Sequence, residues 1–156
     1  MKRRLLIAAL MASAATGAFA QGAPPPYGAP IAIEDARRVV AAALAEATRQ
    51  SLPMAVAVVD SGGHLVAFER ADGTQLGSIR VAQEKARTSV EFRRPTKAFE
   101  DGIVGGRNAI LGLGVMPIEG GIPLLRDGRV IGAIGVSGGT APQDGVIAQA
   151  GVAALR

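Results

Sequence analysis

The sequence predicts an α+β domain in which one antiparallel sheet is flanked by helices. This prediction rests on three observations. Helical periodicity occurs near the start and the end of the domain, short apolar or alternating runs lie between, and the turns that join these runs are very short. Turns this short join antiparallel strands, whereas parallel strands need a long crossover. We therefore expect about five strands in a single sheet.

The first half of the domain is predicted to be a helix followed by a hairpin. Residues 33–50 place apolar side chains at helical spacing, and Pro53 ends the pattern. The continuously apolar run at residues 54–59 is typical of a central strand covered on both faces. A turn at residues 60–63 leads into a return strand at residues 64–70.

Two helices and a loop are predicted next. One helix reaches to about residue 90, and Thr74 or Ser78 is a candidate for its N-terminal cap. After Pro95, a short helix begins at about Lys97 and leads into a glycine-rich loop.

Three short strands and a last helix complete the prediction. The strands are expected at residues 116–119, 121–126 and 129–137. Asp127 and Gly128 form a dipeptide that favours a two-residue hairpin turn between the second and the third of these strands. Thr140 and Gln143 fit a capping box at the start of the last helix.

The N-terminus of the chain has the pattern of a signal peptide. Residues 1–20 combine a basic start, an apolar run and the cleavage pattern Ala18-Phe19-Ala20. We expect export to the periplasm or beyond, and no membrane insertion after cleavage. Removing this segment takes away three basic and no acidic residues, which lowers the formal net charge from +4 to +1. The high isoelectric point therefore gives no support for a nucleic-acid partner.

The remaining chain is predicted to hold a single domain. Residues 21–30 contain three consecutive prolines and are predicted to be an extended tether. The domain itself is expected at residues 31–156, within the usual size of one folding unit. With no cysteine and one histidine, the chain excludes disulfides, thiol nucleophiles and a multi-histidine metal centre within one subunit. No nucleophile elbow, dinucleotide fingerprint or phosphate-binding loop occurs.

The return strand of the first hairpin carries one candidate binding face. Alternation predicts that His64, Val66, Phe68 and Arg70 share one side of the sheet. An imidazole, an aromatic ring and a guanidinium on one face could bind a flat anionic ligand. The alternative is that His64 only caps backbone groups of its turn.

The helix that reaches to about residue 90 carries two stripes of different character. Alternating charges at Arg80, Glu84, Arg87 and Glu91 are typical of a solvated, salt-bridged face. On another stripe Lys85 lies among small and apolar residues. Its ammonium either pairs with a ligand carboxylate or reaches out to water.

Glycines in the second half allow two interpretations. The run from Gly132 to Gly139 ends at a helix start, where free N–H groups and the helix dipole favour an anion. Alternatively, glycines such as Gly132 and Gly135 let neighbouring elements pack closely.

A series of spaced motifs occurs in order at residues 58–66, 70–73, 82–88, 94–96, 120–123, 127–128 and 132–139. Together these motifs resemble the GlcG/HbpS family across residues 31–156. The resemblance implies a profilin-like sheet of about five strands with flanking helices, and assembly into homo-oligomers. It also implies haem or tetrapyrrole binding, with slow haem breakdown in some members. A non-catalytic oligomeric module that binds a small carboxylate or a protein partner is the alternative.

A haem site would draw on a defined set of side chains. His64 is the one imidazole in the chain and hence a candidate axial ligand, and Thr96 is the oxygen alternative that the resemblance suggests. Arg70 and Lys85 could hold the propionates. The full candidate set is His64, Phe68, Arg70, Lys85, Thr88, Phe92, Thr96, Gly120 and Gly121.

Overall fold

The computed structural model describes residues 23–155, so the predicted signal segment lies outside the described residues. Within that range no helix is both long and apolar enough to cross a bilayer. The elements, in chain order, are α1 (Ile33–Arg49), β1 (Ala55–Asp60), β2 (Leu65–Arg70), α2 (Gly77–Phe92), α3 (Lys97–Val104), a 3-10 helix (Asn108–Leu113), β3 (Gly121–Arg126), β4 (Arg129–Ser137) and α4 (Ala141–Ala153).

A single antiparallel sheet organises the domain, with the strand order β2-β1-β4-β3. The central pair β1–β4 aligns Val56 with Val136, and β3 aligns Ile122 with Ile134. Helices α1 and α4 pack on one face of the sheet, and α2 packs on the other. The predicted fold class is confirmed. The turn at Asp127 and Gly128 has positive φ at both residues, as the predicted two-residue hairpin requires.

The described sheet has four strands and not the expected five. Residues 116–119 were predicted to be a strand, but they form an irregular connection. The Met116 N–H donates to Thr88 Oγ1 at 2.9 Å, and the Glu119 N–H donates to Glu100 Oε2 at 2.7 Å. Pro117 has no N–H to donate. Side chains therefore satisfy this backbone, and no ladder with a neighbouring strand forms.

The predicted N-terminal cap of the second helix is also wrong. Helix α2 begins at Gly77 without a side-chain cap. The Thr74 hydroxyl instead donates to the carbonyl oxygen of Ala71 at 2.7 Å, and Ser78 Oγ is hydrogen-bonded to Ser137 Oγ at 3.1 Å. Both hydroxyls therefore tie the helix entrance to its surroundings rather than capping it.

The sheet core is built in two layers of different residue size. Val56 and Val58 face α1 and α4, whereas Ala55, Ala57 and Val59 face α2. Small side chains on the second face let α2 lie close to the sheet. A Cβ on Gly135 would collide with the carbonyl oxygen of Ala82 in α2. The close-packing interpretation of this glycine is the one that the structure supports.

Part of the segment predicted as a tether lies against the domain. Tyr27 forms a parallel bridge with Val130, where β4 extends beyond the end of β1. The Gly28 N–H donates to the Val130 carbonyl at 2.8 Å, and the Val130 N–H donates to the Pro26 carbonyl at 2.9 Å. The Tyr27 hydroxyl lies 3.0 Å from the carbonyl oxygen of Val90 at the end of α2. Residues 26–28 therefore continue the sheet locally.

Candidate functional site

An open groove follows the outer edge of β3, and we call it the β3 groove. Its larger part has a volume of about 540 Å³, and its smaller part of about 340 Å³ shares Pro95 and Ile122 with it. The smaller part passes over Gly120 and Gly121. The larger part is lined by Pro25, Arg93, Pro95, Ile122, Pro123, Leu125, Val152 and Leu155.

The walls of the larger part are apolar, with one cation among the residues that line it. Arg93 is held in place there, since its guanidinium lies 5.2 Å from the centroid of the Tyr27 ring and donates to the Pro25 carbonyl at 3.3 Å. Lys97 and Glu119 add charge in the smaller part. The combination of apolar walls and a positioned guanidinium suits a flat, apolar molecule that carries a carboxylate.

A buried ion pair lies beneath the floor of the groove. Lys85 Nζ donates to Asp144 Oδ2 at 2.6 Å and to the Val136 carbonyl at 3.0 Å. The two side chains are only 1% and 4% exposed. Burial raises the pKa of Asp144, whereas the Lys85 ammonium and the Gly139 N–H favour the ionised form. The pair links α2, β4 and α4.

Two glycines separate this ion pair from the groove. A Cβ on Gly120 would lie 2.9 Å from Lys85 Nζ, and a Cβ on Gly121 would collide with the Lys85 carbonyl oxygen. Thr96 and the backbone of Gly121 form two hydrogen bonds. Its N–H donates to the Gly121 carbonyl at 3.0 Å, and its Oγ1 accepts from the Gly121 N–H at 2.9 Å. The floor is therefore thin, and its polar groups are bonded.

The structure brings four of the predicted site residues together at the start of β3. Gly120 and Gly121 line the groove. Lys85 and Thr96 lie behind them and are buried, each with a bonded polar atom. Thr88 is also buried, but it lies apart from them, where its hydroxyl accepts from the Met116 N–H. The Lys85 side chain does not reach out to the solvent, because it is buried and its ammonium is paired with Asp144.

Phe92 lies near the end of α2 but does not line the groove. It is half-buried, and its ring packs edge-on against Phe99 with 5.2 Å between the centroids. This geometry is typical of a stable aromatic pair.

His64, Phe68 and Arg70 lie at the other edge of the sheet. Strand β2 is three positions away from β3, which corresponds to about 14 Å at the usual strand spacing. The His64 side chain is 83% exposed, with Nδ1 3.4 Å from Asp60 Oδ1. Asp60 Oδ1 also accepts from the backbone N–H of Gly62. Asp60, and not the His64 imidazole, therefore caps the backbone of this turn.

The prediction that Val66 and Phe68 share one face of β2 is wrong, because the strand contains an irregularity. Val58 pairs with Ala67, but the next residue, Val59, pairs with Leu65. Val66 is thus an extra residue, and it packs toward the α1 layer whereas Phe68 packs toward the α2 layer. Such a bulge reverses the alternation that the prediction assumed.

The start of α4 is occupied by the protein's own side chains. The Gly139 N–H donates to Asp144 Oδ1 at 3.0 Å, and the Thr140 N–H donates to Gln143 Oε1 at 2.9 Å. The contact with Gln143 matches the predicted capping box. The N–H groups that suggested an anion site are thus bonded within the chain.

Sequence reasoning missed the residues that form the groove walls. Leu125 is an apolar residue 48% exposed on an edge strand, and Pro95 and Pro123 punctuate the same region. A proline on an edge strand together with an exposed leucine is a weak signal of a binding surface. Arg93 and Val152 carry no local signal, because only the packing of α2 and α4 beside β3 brings them there.

Comparison with known proteins places these features in context. A family model described as haem degrading protein HbpS-like matches residues 31–153, which include every helix and strand given above. Protein GlcG of Escherichia coli (strain K12) is 40% identical over 103 residues, covering 65% of this chain and 77% of GlcG. A solved PduOC:heme complex is similar with a TM-score of 0.73 and 32% identity, covering 80% of this chain and 94% of that chain. A double mutant of Streptomyces reticuli HbpS is similar with a TM-score of 0.76 and 27% identity, covering 97% of this chain and 99% of that chain.

Proposed function

Because the chain belongs to the HbpS-like family, we propose that it binds haem or a related tetrapyrrole in the β3 groove. The observation that carries this proposal is the apolar groove of about 540 Å³ with Arg93 among its lining residues. Haem is flat and largely apolar and carries two propionates, so its site needs apolar walls and a cation. The relation to a protein solved as a heme complex supports the same ligand.

The groove provides contacts for the ring and the propionates of haem, but its lining residues offer no strong ligand for the iron. Arg93 supplies the cation, since the Lys97 ammonium is already paired with Asp101 at 2.7 Å. No histidine, methionine or tyrosine is among the described residues that line either part, and the oxygen of Thr96 is buried under Gly121. We therefore propose binding in the micromolar range, about −8 kcal/mol. Bound haem would supply the redox-active iron that slow oxidative ring breakdown requires.

A titration followed by absorption tests the proposal. The protein is expected to shift the Soret band of haem with a defined stoichiometry at micromolar concentration. Replacing His64 by Ala is expected to leave the position of the band unchanged, because His64 lies at the opposite edge of the sheet from the groove. If the wild-type protein leaves the spectrum of free haem unchanged at tens of micromolar, tetrapyrrole binding is wrong. The alternative, a module that binds a small carboxylate or a protein partner, then applies.

We propose export with cleavage after Ala20. Ala18 and Ala20 are the small residues that signal peptidase requires before the cleaved bond. The mass of the exported protein should therefore correspond to a chain that starts at Gln21. Recovery of exported protein that retains residues 1–20 would contradict this prediction.

We also propose that copies of the chain form a homo-oligomer, as a dimer or a multiple of dimers. Large apolar side chains on the described surface support this, since Leu76 is 77% and Val104 84% exposed. A formal charge of +1 after cleavage provides little repulsion between copies. Light scattering at micromolar concentration measures the assembled mass.

A further inference from the structure

The outer face of α2 carries an ordered pattern of charge. Arg80 and Glu84 form an ion pair at 2.8 Å, and Arg87 and Glu91 form another at 3.1 Å. These four side chains are 38–69% exposed and follow one stripe along the helix. Among the described elements, α2 alone covers its face of the sheet. Residues 114–116 of the same subunit border the stripe at Glu84, Arg87 and Glu91, but the four charged side chains remain exposed.

We propose that this face of α2 is a two-fold interface with a second copy of the chain. This inference rests on the proposed self-association and adds the surface through which it occurs. When two copies of α2 run antiparallel, Arg80 can face Glu91 of the partner subunit. Glu84 then faces Arg87 of the partner subunit, and both contacts are repeated by symmetry. The order of charges along the stripe is thus complementary to itself under a two-fold rotation.

The same stripe disfavours the other orientation. In a parallel arrangement with the same register, each arginine would face an arginine and each glutamate a glutamate. Opposite charges across an interface chiefly determine orientation and partner choice, and exposed pairs add little affinity. The stripe spans about 16 Å of helix, enough to fix the register of two crossing helices.

Apolar surface beside the stripe supplies the area to be buried. Leu76 is 77% exposed at the entrance of α2, and Ile79 is half-buried one turn later. Together with the aliphatic parts of Arg80, Gln83 and Arg87 they line a shallow depression of about 460 Å³. Burying such surface favours association, while the charges select the antiparallel arrangement.

The α2 face and the β3 groove are separate surfaces. The charged stripe ends at Glu91, before Arg93 enters the groove. Neither part of the groove is lined by a residue of the stripe. Dimers formed through α2 therefore leave the groove open to a ligand.

A charge-swapped variant tests the interface in the full chain. The variant R80E/E84R/R87E/E91R preserves both pairs within the helix and the net charge of the protein. It also preserves complementarity with itself, so it is expected to associate as the wild-type protein does. A mixed dimer of wild-type and swapped chains would instead place like charges opposite each other. Circular dichroism checks that the variant is folded.

Subunit exchange provides the measurement. Isotopically labelled wild-type protein is mixed with the swapped variant under exchanging conditions, and native mass spectrometry counts the species. Mixed dimers are expected to be at least about tenfold below a statistical mixture. In a larger assembly, species with an odd number of swapped chains should be depleted. Labelled and unlabelled wild-type chains form the control and should mix statistically.

Two results would overturn the inference in distinguishable ways. If the wild-type protein is monomeric at micromolar concentration, the proposed self-association itself is wrong. If wild-type and swapped chains mix statistically, self-association stands but another surface carries it.

Discussion

Replacing Lys85 by Ala is expected to lower the free energy of unfolding by about 3–5 kcal/mol, because it leaves Asp144 buried without its cation. The carboxylate would keep the Gly139 N–H but lose the 2.6 Å contact with the ammonium. The empty volume left by the lysine side chain adds to the loss. Chemical denaturation of the wild-type protein and the variant measures the difference.

The loss in this variant should depend on pH. Burial raises the pKa of Asp144, and removing Lys85 removes the largest opposing contribution. Below the ordinary carboxyl pKa, Asp144 is neutral in both the folded and the unfolded chain. The loss of stability is then smaller, because only the lost packing of the Lys85 side chain remains. Between the ordinary carboxyl pKa and the raised pKa of the folded variant, the unfolded chain gains by ionising while the folded chain stays neutral, so the loss of stability grows with pH across this window. Denaturation at about pH 3 and about pH 7 should therefore show the larger deficit at neutral pH.

Two further variants separate the buried pair from a general effect of lysine removal. Lys97→Ala removes an exposed lysine that contacts Asp101 at 2.7 Å, and it should cost less than about 1 kcal/mol. The double variant Lys85→Met with Asp144→Asn removes both charges and keeps an acceptor for Gly139. It should recover part of the stability lost in Lys85→Ala. Equal losses in Lys85→Ala and Lys97→Ala would contradict the role assigned to the pair.

Replacing Leu125 by Asp is expected to weaken haem binding by about tenfold or more. Leu125 is an apolar wall of the β3 groove and is 48% exposed, so the folded domain tolerates a polar residue there. The new carboxylate removes apolar contact with the ring and repels the propionates. A Soret titration under the conditions used for the wild-type protein gives the ratio of affinities.

Leu65 provides the matched control for this experiment. It lies on β2, the opposite edge strand, and is 50% exposed. Leu65→Asp introduces the same charge at a site of similar exposure outside the groove. The affinity of this variant for haem should therefore equal that of the wild-type protein. Equal weakening by both substitutions would show that charge alone, and not the groove, controls binding.

Features that depend on neighbours in the chain were predicted well. The end of α1 before Pro53, the hairpin at Asp127 and Gly128 and the capping box at Thr140 each need only a few consecutive residues. The salt-bridged character of the stripe at Arg80 and Glu84 is of the same kind, because residues four apart are neighbours on a helix.

The candidate site was predicted only in part, because its members meet across the fold. Alternation along β2 placed His64 with Phe68, but one extra residue at Val66 breaks the alternation, and no local pattern signals such a bulge. The sequence also shows that Lys85 lies on an apolar stripe but not that a carboxylate meets it there. Asp144 is 59 positions further along the chain and reaches it through the packing of α4.

The sequence by itself determined the fold class, most helix and strand positions and the family. These properties follow from periodicity and turn chemistry, both of which act over short stretches of chain. The tertiary structure alone decided that Lys85 pairs with Asp144 beneath the glycines, and that a groove opens along β3 with Arg93 at its wall. Both depend on how α2, α4 and the edge strand pack together, and burial and partner choice are settled only when distant residues come into contact.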